Sequence, residues 1–68
     1  MTREQMLDDY FCRAQDCIVK LGSERALCRQ LGIGHNQMRA RIKHPGVVRR
    51  EQWYAIIELH NKLGGYDA

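Results

Sequence analysis

The side chains best equipped for chemistry lie in one nine-residue stretch, 35–43. If that stretch is helical, Met38 and Ile42 are four residues apart and mark its inner face. His35, Asn36, Gln37, Arg39, Ala40 and Lys43 then fall on the outer or bordering face. These types match the donor and acceptor pattern of base edges. An arginine fork grips guanine O6 and N7, and an asparagine amide grips adenine N6 and N7. His35 can donate or accept, and Ala40 leaves room for close approach or for a thymine methyl. Around the stretch stand Arg25, Arg29, Arg41, His44, Arg49 and Arg50, cationic or polar residues suited to phosphate. The competing interpretation of the face is a solvated polar surface.

Charge distribution supports the first interpretation. The net charge is +3 over 68 residues. Residues 24–50 hold seven basic side chains against the single acid Glu24, a local +6, while residues 1–23 carry −1 and residues 51–68 carry −2. A basic stripe confined to one central segment is the footprint of a phosphate-backbone binder.

Other chemistries find less support. A zinc site would need four of Cys12, Cys17, Cys28, His35, His44 and His60, yet no Cys-x-x-Cys or His-x3-His pair occurs. No metal or cofactor is expected. Cys17 and Cys28 read as small core residues, and His60 reads as a packed histidine on an apolar stripe. There are no paired carboxylates and no phosphate-binding glycine loop. A chain this short buries only about 60% of its unfolded surface and has little core left to enclose a substrate cleft. An enzyme is not expected.

Four helices must position these residues, and together they make one all-α domain over 1–68. Residues 4–21 place Leu7, Tyr10, Phe11, Ala14, Cys17, Ile18 and Leu21 on one face, with Gln5, Asp9, Cys12 and Asp16 opposite. Gly22 stops this helix and Ser23 caps the next, over 24–31. Gly32-Ile33-Gly34 turns the chain into the third helix, 35–43, which His44-Pro45-Gly46 ends. The fourth runs from 49 or 50 to 63, with Trp53 as core anchor and Ile56, His60 and Leu63 on the inner stripe. Gly64-Gly65 closes it, and the last three residues are expected to fray.

The stretch Ala26-Leu27-Cys28-Arg29-Gln30-Leu31-Gly32-Ile33, followed by the 35–43 helix and by Val48-Arg49-Arg50-Glu51 with Ala55-Ile56, carries a more specific likeness. It resembles the Cro and lambda-repressor-like helix-turn-helix family, and within it the small YdaS-type prophage regulators, over residues 14–65. The resemblance implies a four-helix lambda-repressor-like domain. It also implies a cytoplasmic phage or mobile-element transcription regulator, a repressor that occludes a promoter as a dimer on palindromic double-stranded DNA. Arg49 stands where the family favours Pro, Glu24 where a phosphate-contacting Gln is common, and Arg41 where an apolar residue is usual. A Fis-type helix-turn-helix is the architectural rival, but its motif normally closes the chain, whereas a well-patterned helix follows Pro45 here. The rival of another class is a protein-binding module on the same scaffold, acting on a host or phage protein.

Val19, Tyr54 and Ile57 lie off the inner stripes and form the candidate homodimer surface. No apolar run is long enough to suggest a membrane span, and no signal peptide is recognisable. Three cysteines without framework spacing fit reduced thiols in a cytoplasmic protein.

Overall fold

A computed structural model describes residues 1–66. Within them the chain is all-helical: α1 (Arg3–Leu21), α2 (Glu24–Leu31), α3 (His35–Lys43), a 3₁₀ turn (Pro45–Val47) and α4 (Arg50–Lys62). Local chemistry sets each boundary. Thr2 and Gln5 form a reciprocal capping box at the start of α1, with Gln5 N–H donating to Thr2 Oγ1 (3.2 Å) and Thr2 N–H to Gln5 Oε1 (2.8 Å). Ser23 Oγ accepts from Ala26 N–H at the start of α2. Gly32 follows α2 at φ 70°, a conformation that a side chain would strain. Ile33 N–H then reaches back to the Cys28 carbonyl and Gly32 N–H to Arg29, the Schellman pattern. Gly64 and Gly65 repeat that pattern after α4, bonding to Asn61 and His60.

The core joins Tyr10, Ala14 and Cys17 of α1 to Leu27 and Cys28 of α2, Met38 of α3, Val48 ahead of α4, and Ile56 of α4. Met6 and His60 are buried as well. Trp53 is not the centre of this core. It is half-buried at the edge, stacked on Tyr54 with its indole N–H on Asp9.

Helices α1 and α4 run side by side in the same direction. Asp9 meets Trp53 and Asp16 meets His60, each pair 44 residues apart in sequence. The intervening elements return the chain to the start of α1, where Arg3 donates to the carbonyls of Gly46 (2.7 Å) and Val48 (3.1 Å). Asp9 and Asp16 therefore do not lie on the far side of α1, as its apolar stripe alone would have them. They line the seam with α4, because α1 packs against α4 on one flank and α2 on the other. Gln5 and Cys12 are exposed.

At the C-terminus, Tyr66 is placed rather than frayed. Its ring meets the His60 ring edge-on at 4.4 Å, and the Arg13 guanidinium lies 5.4 Å from its centroid. Asp67 and Ala68 lie outside the described residues. None of the described helices is long and apolar enough to cross a membrane. All three cysteines are free; burial pushes the Cys17 and Cys28 thiols above their ordinary titration range and keeps them protonated.

Candidate nucleic-acid interface

Met38, fully enclosed, pins α3 to the core by a single side chain. Most of the rest of the helix projects outward. Asn36, Gln37, Arg39, Ala40 and Lys43 are exposed, and His35 is partly so. The nine-residue stretch therefore presents one continuous polar face, with Arg39 65% exposed.

One of its members has an unexpected role. Gln37 is the third residue of α3, and its Oε1 accepts from Gly34 N–H at 3.4 Å, so its carbonyl end caps the helix rather than facing outward. Gln52 does the same for Arg49 N–H at the start of α4 (2.9 Å). Together with Gln5 this places a glutamine at the third position of three helices. The regularity is visible in the sequence once the helix starts are known.

Arg41 and Ile42 exchange the places expected of them. Ile42 is 47% exposed. Arg41 is half-buried, and its Nη1 donates to the Tyr10 hydroxyl at 3.1 Å, which ties one of its nitrogens to the core. It stands in the position where an apolar residue is usual and satisfies an otherwise enclosed phenol. Exposed Ile42 instead borders an open apolar groove of about 330 Å³ with Phe11, Ala14, Ile18, Met38 and Pro45.

The remaining cations stay available. Arg25, Arg29, Lys43, His44, Arg49 and Arg50 are all exposed. None of them has an acidic partner among the described residues. His44 closes α3 through its N–H to the Ala40 carbonyl and leaves helical geometry at φ −128°, ψ 76°, as the residue before Pro45 must.

Glu24 is the one acid between residues 24 and 50. Leu27, Cys28 and Leu31 continue its face of α2 at the spacing of an inner stripe, so Glu24 opens that stripe and faces α3. Its Oε1 lies 3.1 Å from His35 Nε2 and 3.4 Å from Arg39 Nε. The oxygen is enclosed, and neither neighbour is aligned with it as a hydrogen-bond donor, so proximity of charge rather than directed bonding defines the contact. Sequence position alone would set this acid against phosphate. The tertiary fold turns it onto two residues of the outward face instead.

The candidate dimer residues are spread along α1 and α4. Val19 and Tyr54 are exposed, but Ile57 is half-buried. In the 44-residue register Val19 lies level with Leu63, nine residues and about 13 Å beyond Tyr54 along α4. The candidate metal ligands do not converge: no three His, Cys, Asp or Glu side chains come together among the described residues. Compared with known protein families, with curated proteins and with solved structures, the chain matches none of them.

Proposed function

We propose that the chain binds double-stranded DNA, with α2 and α3 acting as a helix-turn-helix and α3 entering the major groove. The observation that carries this reading is the exposed face of α3, with Asn36, Arg39, Ala40 and Lys43 outward. Arg25 and Arg29 precede it in the chain and His44, Arg49 and Arg50 follow it, all exposed and without an acidic partner among the described residues. Asn36, Arg39 and Ala40 would address base edges, and His35 would border them. Arg25, Arg29, Lys43, His44, Arg49 and Arg50 would hold phosphates and set the register. On this reading the protein is a cytoplasmic transcription regulator of phage or mobile-element type, lambda-repressor-like in architecture. It would repress by occluding a promoter as a dimer on an inverted repeat.

Selection from random duplex DNA, followed by titration of the selected site over a salt series, tests this. Binding should fall steeply as salt rises, because each neutralised phosphate releases counterions. Arg39→Ala should cost about 1–3 kcal/mol and relax preference at one position of the site. Replacing Arg25 or Arg50 by Ala should weaken all sequences alike and flatten the salt slope. If no duplex binds at low salt, the DNA reading fails. A second reading then takes its place, carried by the apolar groove of Phe11, Ile18, Ile42 and Pro45: a module that holds a protein partner.

A further inference from the structure

We infer that Glu24 is a specificity-determining positioning residue, which aims the Arg39 fork at one base. This rests on the DNA-binding reading of α3. His35 and Arg39 are four residues apart and share a face of α3, and the Glu24 carboxylate meets both from α2. The contact to Arg39 is at Nε, the inner nitrogen of the guanidinium. An arginine can approach guanine with Nε and one terminal nitrogen, or with both terminal nitrogens. A carboxylate beside Nε competes for the first edge and leaves Nη1 and Nη2, the pair whose planar geometry matches O6 and N7, without an acidic contact among the described residues. The long side chain is 65% exposed and would otherwise sample many rotamers. The charge of an acid on α2 favours those rotamers that keep Nε beside it and leave the two terminal nitrogens to a ligand.

The same acid has an opposing effect. It lies within the basic segment and repels phosphate, so it lowers affinity for every sequence while sharpening the choice among them. An ordinary salt bridge of the fold would have neither effect on sequence preference. Arg39 is largely exposed although the Glu24 oxygen is enclosed, so the effect in water is small, of the order seen for surface ion pairs. It strengthens when DNA covers the site and excludes water.

The test compares wild type, Glu24→Gln, Glu24→Asp and Arg39→Ala by selection from random duplex DNA and by titration of one selected and one scrambled duplex. A thermal melt confirms that each variant is folded. Arg39→Ala identifies the position that this residue reads. Glu24→Gln should bind the scrambled duplex more tightly than wild type, yet lose about two- to fivefold of the base preference at that same position. Glu24→Asp keeps the charge but withdraws the carboxylate by one methylene, so it should lose the preference without the gain in affinity. Unchanged preference at that position in both Glu24 variants overturns the assignment and leaves the DNA reading standing. If wild type selects no sequence at all, the DNA reading fails and the assignment fails with it.

Discussion

Two histidines of this chain sit in similar company with opposite exposure. His60 lies between Asp16 and Arg13, and His35 lies beside Glu24 and Arg39. His60 is fully buried. Its Nδ1 is 3.0 Å from Arg13 Nη1, which can only donate, so Nδ1 accepts and Nε2–H donates to Asp16 Oδ2 at 2.6 Å. Every polar atom of the ring is thereby satisfied inside the protein, and the tautomer is set by its neighbours. His35 has one acidic neighbour, an open flank and a place on the outward face. The same residue types thus make a structural joint where α1 and α4 close over them and a partly accessible surface where α2 meets α3. Charge pattern alone does not distinguish the two; the helix packed against each does.

The sharpest way to break this comparison is to remove each ring. His60→Ala deletes a buried side chain and leaves Asp16 and Arg13 without their partner, at a cost of about 3 kcal/mol. That is a large share of the stability of a domain this small. His60→Gln should recover part of the loss, since an amide N–H can still reach Asp16. His35→Ala should stay within about 0.5 kcal/mol of wild type in urea unfolding and change duplex binding instead. Equal destabilisation by the two alanine variants would contradict the division.

Acid addresses the same contrast through the seam. Burial raises the Asp9 carboxyl, but the Trp53 indole N–H and Arg13 outweigh it, and Asp9 titrates below its ordinary 3.8. The hydrogen bond from His60, then that from Lys20, hold Asp16 below 3.8 as well. Lys20 also donates to the Gly65 carbonyl, so one side chain joins the ends of both helices. With folded values depressed, the unfolded chain binds more protons in acid. The stabilisation is therefore fully present above about pH 4 and is lost as pH falls through the lower folded values. Unfolding midpoints measured between neutral and strongly acidic pH should drop in that window. Asp9→Asn and Asp16→Asn together should flatten the drop.

How much of this was legible in the sequence follows the range of the interactions. Helix boundaries rest on local chemistry, on Thr2 with Gln5, Gly22-Ser23, Gly32, Pro45 and Gly64-Gly65, and the expected elements match the observed ones to within about a residue. Which flank of α1 meets α4 rests on pairs 44 residues apart, so Asp9 and Asp16 were assigned to the wrong side. The outward face of α3 followed from its period, and five of its six expected members are exposed, with His35 partly so. In the sequence Glu24 stands out as the single acid in a basic segment, at a place where a phosphate-contacting Gln is expected. Its contact with His35 and Arg39 depends on how α2 meets α3, which no local pattern specifies.

The pair Arg41 and Ile42 shows the same limit at single-residue scale, and it yields the finest prediction. An apolar residue four positions after Met38 is expected inside, and an arginine outside. Yet α3 is only nine residues long, Met38 is its one buried side chain, and Ile42 at its last turn borders the open side of the groove. Arg41 then lies over the core, where its long stem can pack while its head meets the Tyr10 hydroxyl. Tyr10 is fully buried, so losing Arg41 leaves a phenol without that donor. Arg41→Ala should therefore cost about 1–3 kcal/mol. Ile42→Ala, at a side chain already half in water, should cost less than about 1 kcal/mol. Tyr10→Phe in the Arg41→Ala background should restore part of the loss, because the unpaired hydroxyl goes with it. The reverse order, with Ile42→Ala the more damaging of the two, would place Ile42 inside and return α3 to the simple pattern.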